Sequence, residues 1–276
     1  MKPLNQRRPH IGALVLALVA ALALMASIRT CSTRRIAQRQ FIPSGGDTID
    51  VAIEYGPMSL YRFEDTLGGF SYDLLRMVSL QANIPLKFHP VTVPDKAEEH
   101  LLNGDVDLLV AALPATSTSD SLLTSFTVPV YLDRQVLVQR RDSLGKVPIS
   151  SQLELAGSEL WVMADSPIAD RLRNLISEIG DTIYVVEDPT YGSEQLVIMT
   201  ATGDIPGAVV TEATATAMAK DYPELDISTA VSFTQFQAWK LRRSDVTLRH
   251  KLDSAIITIK STPAFDELMR RYSCSR

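Results

Sequence analysis

The sequence predicts an α/β fold built on parallel strands, and three observations carry that expectation. Strand-like and helix-like stretches alternate along most of the chain, the pattern of a sheet covered by helices through right-handed crossovers. A short unbroken apolar run, Leu108 to Leu113, follows the turn Asn103-Gly104-Asp105; with no polar face, it suits a strand buried on both sides. The run stops at Pro114 and gives way to Ala-Thr-Ser-Thr-Ser-Asp120, small polar residues of the kind found where a central strand empties into a ligand crevice.

The elements follow in order. Ile49 to Glu54 alternates apolar and polar residues and reads as a strand, ended by Tyr55-Gly56-Pro57. The turn Thr66-Leu-Gly-Gly69 leads to a helix over Leu74–Ala82, with Leu74, Leu75, Met77, Val78 and Ala82 at helical spacing and Ser71 or Asp73 as its cap. Asn83-Ile84-Pro85 ends it, Leu86–Val91 is a strand, and Asp95–Leu102 is a short helix before the central strand. Val136–Gln139 is a further strand, and Arg140 to Ile149 is a polar joint.

A second α/β set then begins. It comprises a strand over Glu159–Met163, a helix over Ile168–Ile179, a strand over Thr182–Val186 and a helix over Ser193–Thr200. A strand over Gly207–Thr211 and a helix over Glu212–Lys220 complete it. Phe233–Leu241 reads as one strand returning to the first set, and Val246–Tyr272 as two helices split near Thr262-Pro263. No solenoid period and no low-complexity tract interrupts the pattern.

The N-terminus is of another kind. Lys2, Arg7 and Arg8 precede eighteen uncharged, largely apolar residues from Ile11 to Ile28, at the lower limit of a membrane-spanning helix. A signal anchor over residues 1–28 and a linker over 29–47 are expected, with cleavage of the segment or lipidation of Cys31 as open alternatives. The first forty residues hold seven of the 27 basic groups and none of the 32 acidic ones, so the remainder carries a net charge of −12. An acidic body argues against nucleic acid as a partner. Cys31 and Cys274 lie at opposite ends of the chain; they form no metal-ligand cluster, and whether they pair is left open.

An ordered set of short motifs resembles the periplasmic solute-binding proteins of the amino-acid-binding type (family 3), a fold shared with the N-terminal non-catalytic half of membrane-bound lytic transglycosylases. In the first half these are Tyr55-Gly-Pro, Gly69-Phe-Ser-Tyr-Asp-Leu74, Leu102-Asn-Gly-Asp-Val-Asp-Leu108, and the polar loop leading to Phe126-Thr-Val-Pro-Val-Tyr131. The second half adds Trp161-Val-Met-Ala-Asp-Ser166, Gly203-Asp-Ile-Pro-Gly-Ala-Val-Val210 and the closing helix. The resemblance runs from Ile49 to Tyr272. It implies a two-lobed periplasmic-binding-protein (type II) fold: a first lobe over 48–136, a second over 137–232, and a return over 233–276. Crossing segments near 132–142 and 228–238 would allow the lobes to close on a ligand.

The resemblance also implies site residues. Tyr55 and Phe70 match aromatic walls, while Ala112, Leu113, Thr116 and Ser119 match the strand end and loop that meet the ligand. Asp165 and Ser166, before Pro167, form a helix start suited to an anion. Glu212 matches the acidic group that holds a ligand amine. The family's amino-acid binders also place an arginine on the loop after the central strand, where a guanidinium grips a carboxylate. Here the matching position is Ser119 or Asp120, no basic residue lies between Asp105 and Asp133, and Arg134, the one candidate substitute, lies beyond the expected place.

The function expected is therefore an inner-membrane, single-pass protein with its body in the periplasm. That body is expected to be a monomer that binds a small polar ligand, whether amino-acid-like, a peptide or a cell-wall fragment. It would act as a sensor or in transport, next to a permease or the cell-wall machinery. The alternative is a degenerate binding fold kept as a protein-interaction module. No enzyme activity, cofactor or metal is expected. His10, His89, His100 and His250 fall in no catalytic motif, there is no Gly-x-Ser-x-Gly, and lytic transglycosylase chemistry would need a further domain with a catalytic glutamate.

Overall fold

A computed structural model describes residues 48–92, 94–115 and 122–274, the side chains of 94–96 excepted. The expected anchor over 1–28, the linker to residue 47 and Cys31 lie outside the described residues. Among the described residues no helix is long and apolar enough to cross a membrane.

Two five-stranded sheets form the scaffold. The first part of the chain supplies β1 (Ile49–Glu54), the hairpin β2 (Tyr61–Phe63) and β3 (Thr66–Gly68), and α1 (Phe70–Ala82). It continues with β4 (Leu86–Val91), α2 (Pro94–Asn103), β5 (Leu108–Val110), β6 (Thr124–Phe126) and β7 (Tyr131–Asp133). The middle supplies β8 (Gln135–Arg140), β9 (Glu159–Met163), α3 (Pro167–Ile179), β10 (Tyr184–Asp188), α4 (Ser193–Thr202), β11 (Gly207–Thr211), α5 (Glu212–Met218) and β12 (Leu225–Asp226). The end supplies β13 (Gln235–Gln237), β14 (Lys240–Arg242), α6 (Val246–Lys260) and α7 (Pro263–Arg271).

The first sheet has the order β4-β1-β5-β14-β6 and the second β10-β9-β11-β8-β12. In the first, β1 runs parallel to β4 and β5. In the second, β9 runs parallel to β10 and β11, and β8 is antiparallel to β11. Each sheet therefore has a parallel centre buried by helices, with returning strands antiparallel at one side.

The cores show why these sequences fold here. On the first sheet, Val51, Ile53, Leu108 and Val110 pack against Leu74, Leu75 and Val78 of α1 and against Ile256, Phe265 and Leu268 of α6 and α7. On the second, Leu160, Val162 and Val209 pack against Ile168, Leu172 and Leu175 of α3, while Val136, Val138 and Val210 meet Val197 and Ala215 on the opposite face.

The chain crosses between the sheets twice, and the two crossings pair. β7 and β13 are antiparallel neighbours, with Asp133 opposite Gln235 and Tyr131 opposite Gln237. This corrects the single strand expected over Phe233–Leu241. Gln235–Gln237 belongs to the crossing pair, whereas Lys240–Arg242 joins β5 and β6 of the first sheet. Between them Trp239 turns into the core, 1% exposed.

Candidate functional site

The parallel strands of both sheets end at one cleft. From the first lobe come Glu54 at the end of β1, the Tyr55–Ser59 turn and Ala112 beyond β5. From the second come Thr190 to Gln195, which span the turn after β10 and the first turn of α4, and Thr211 at the end of β11. The cleft measures about 250 Å³. A narrower recess continues past Leu113 towards Asp165, Ser166 and Pro167. Carboxyl ends of strands are where open α/β sheets bind ligands, because helix N-termini and loop backbone converge there. Two wider hollows, of about 320 and 530 Å³, lie between α1 and the closing helices; no strand end reaches either.

Several expected residues meet at this cleft. Tyr55 lines it with 46% of its surface exposed. Ala112 lines both the cleft and the recess, and its N–H donates to Glu54 Oε2 at 3.2 Å. Leu113, Asp165 and Ser166 line the recess. The Ser166 hydroxyl donates to the Met163 carbonyl at 2.6 Å, so it does not cap α3. Asp165 adopts a left-handed backbone, φ +54°, and its N–H reaches Glu187 Oε2 at 3.4 Å. Thr116 and Ser119 lie outside the described residues.

Two expectations are corrected. Phe70 is wholly buried in the first lobe, edge-on to Tyr131 and Tyr272 at centroid distances of 5.1 and 6.1 Å. It is the first residue of α1 and packs on the core side of that helix, and it is not among the described residues that line the cleft. Glu212 is not among the described residues that line the cleft either. Its carboxylate accepts from Arg134 Nε at 2.9 Å and from Nη2 at 2.6 Å, a two-handed grip made within the protein. Arg134, the substitute for the missing loop arginine, is engaged by the same pair.

Among the described residues, the charged groups that line the cleft are Glu54 and Glu194. Burial holds the Glu54 carboxyl above the ordinary carboxylate range; the Ala112 N–H opposes this and the Glu194 charge adds to it. Burial also raises Glu194. Sequence reasoning singles out neither. The signal for Glu54 is its place between a clear strand and Tyr55. For Glu194 it is the first turn of an expected helix, which reads as an ordinary helix-start carboxylate. Tyr191, 44% exposed, adds a second aromatic wall from the other lobe. Among the described residues no group of three or more His, Cys, Asp or Glu is arranged to hold a metal ion.

Comparison with known proteins places this geometry. Residues 48–274 match the family model of the bacterial extracellular solute-binding proteins, family 3. Among curated proteins, the membrane-bound lytic murein transglycosylase F of Desulfosudis oleivorans is 26% identical over 226 residues, 81% of this chain and 48% of the relative. The enzyme of the same name from Shewanella halifaxensis is 25% identical over 203 residues, 73% of this chain and 41% of the relative. The chain thus spans about half the length of the curated relatives it matches. Among solved structures, an ancestral arginine-binding protein bound to glutamine superposes with a TM-score of 0.70 at 18% identity, covering 83% of this chain and 99% of that one. The GluR0 ligand-binding core from Nostoc punctiforme, in complex with L-glutamate, gives 0.68 at 19% identity, covering 81% and 98%. With the family model spanning both sheets and the cleft between them, this chain belongs to the bacterial extracellular solute-binding proteins, family 3.

Proposed function

We propose that this chain is a membrane-anchored solute-binding module of the periplasm that captures a small polar solute between its lobes and does not convert it. The observation that carries the reading is the convergence of strand ends from both sheets on one cleft of about 250 Å³. A cleft walled by two lobes is the geometry by which hinged binding proteins close on a ligand. The anchor rests on the uncharged run Ile11–Ile28 and on the relatives named as membrane-bound lytic murein transglycosylases. The ligand class rests on neighbours solved with amino acids, widened here to peptides and cell-wall fragments. Its role is sensing, or delivery to a permease in the same membrane.

A second reading, a degenerate fold kept for protein contacts, is favoured by one observation. Arg134 fills the Glu212 carboxylate that a ligand amine would otherwise take.

A thermal-shift screen of the full chain in detergent, over the twenty amino acids and short muropeptides, separates the two readings. The first expects at least one small polar solute to raise Tm by several degrees. Free α-amino acids should do little, since the loop after the central strand has no arginine. A flat response to every small solute tried sinks the first reading in favour of the second. The anchor is checked in spheroplasts: protease added outside should digest the body of a protein that stays in the membrane fraction.

A further inference from the structure

We propose that the cleft recognises a small organic cation without a free carboxylate, its positive group held between Glu54 of the first lobe and Glu194 of the second. This rests on the solute-binding reading above and names the ligand class for that cleft.

The lining carries the inference. Glu54 and Glu194 are the only charged side chains among the described residues that line the cleft, and they come from opposite walls. Asp165 adds a third carboxylate at the adjoining recess, where no Lys, Arg or His appears among the lining residues. Arg134 is engaged by Glu212, and neither is among the described residues that line the cleft.

One feature favours an anion instead. The first turn of α4 lines the cleft, and its cap, Gly192, offers no side chain to its N–H groups. A helix N-terminus amounts to roughly +0.5 of a charge. Glu194 sits in that same first turn and Glu54 lines the opposite wall, so two carboxyl groups are set against one partial positive charge. A ligand carboxylate would meet like charges in a half-buried space, where repulsion is poorly screened. A cation would give two half-buried carboxylates an opposite charge, which none of the described residues lining the cleft supplies.

Size and walls decide between an inorganic ion and an organic one. A space of about 250 Å³ lies just below the range of roughly 300–1,000 Å³ typical for drug-sized ligands, and is far larger than one ion needs. Tyr55 and Tyr191 line it from opposite lobes, each nearly half exposed, and aromatic faces favour organic ammonium and guanidinium groups.

The test uses agmatine and L-arginine, which share a guanidinium and an amine and differ by one carboxylate, with putrescine, choline and Ca²⁺ alongside. Calorimetry on the full chain in detergent is expected to show agmatine binding at least tenfold tighter than arginine. Glu54→Gln and Glu194→Gln should each weaken agmatine at least tenfold. Glu54→Gln keeps an acceptor for the Ala112 N–H, and Glu194→Gln changes a helix surface, so unliganded melting reports separately on folding. The proposal is overturned by arginine binding as tightly as agmatine, by agmatine binding that neither substitution weakens, or by a response to Ca²⁺ alone. If muropeptides or amino acids bind and none of the amines does, the cation assignment falls while the solute-binding reading stands. If nothing binds in either set, both fall.

Discussion

Asp133 closes β7 with its side chain 4% exposed, at the point where the chain leaves the first sheet for the second. One oxygen accepts from the backbone N–H groups of Arg134 at 2.8 Å and Ala213 at 3.2 Å; the other, Oδ2, has no hydrogen-bond partner. Burial pushes this carboxyl up to about 7, and the Glu212 charge adds to the rise. The folded state therefore holds the proton more tightly than the unfolded chain, whose carboxyl titrates near 3.8. Stability from this group is complete below that value and is lost as pH rises through about 7. A shift of this size corresponds to on the order of 4 kcal/mol. Asp133→Asn keeps the acceptor for Arg134 and Ala213 and removes the charge. Its Tm should come closest to the parent's below about pH 4, exceed it increasingly as pH rises towards 7, and keep a constant advantage above that. Parallel Tm–pH curves for the two proteins would show that the crossing carries no titrating strain.

The start of α1 shows, at the scale of an element, what the sequence could and could not disclose. The patterning reads Thr66–Gly69 as a turn, whereas Thr66–Gly68 is strand β3 and the turn lies at Glu64-Asp65; it also places the helix from Leu74 under a Ser71 or Asp73 cap. The helix begins at Phe70, behind Gly69 at φ +128° and without a side-chain cap. The amide of that cap residue is satisfied from far along the chain: Gly69 N–H donates to Tyr272 Oη at 2.9 Å, and that hydroxyl donates to Asp73 Oδ2 at 2.9 Å. No local pattern could announce a partner 203 residues away. A side chain at residue 69 is excluded twice over, since the backbone angle is one L-residues rarely adopt and a Cβ would lie 2.4 Å from the Ser59 carbonyl oxygen. Gly69→Ala should cost at least about 2 kcal/mol, read from urea melts. A cost below about 0.5 kcal/mol, the scale of an ordinary surface substitution, would mean that the β3–α1 joint relaxes freely. The long strands behave oppositely: Ile49–Glu54, Leu86–Val91, Glu159–Met163 and Gly207–Thr211 have the bounds their apolar patterning indicates. The short strands β6, β7 and β12 owe their existence to pairing with distant segments, and nothing local marks them.

At the scale of the whole molecule, the site was legible as a place and less so as a set of side chains. Strand ends and the loop after β5 pointed to the cleft, and Tyr55, Ala112 and Leu113 lie there. Which carboxylate faces the ligand depends on how the lobes meet, and Glu194 comes near Glu54 only through that meeting. The same arrangement predicts a motion. A solute that touches both walls binds the closed form better than the open one, and shifts the population by that difference in affinity. The pivot is the β7–β13 pair, where both crossings run side by side, so closure can occur by small backbone changes flanking it. The body cut at residue 41 should be a monomer with a radius of gyration of about 18 Å, the value for a compact chain of this length. Saturating ligand should reduce that radius in solution scattering. An obligate oligomer would contradict the monomer. An unchanged radius with a ligand that does raise Tm would mean that one wall binds alone, and the clamp would have no part in capture.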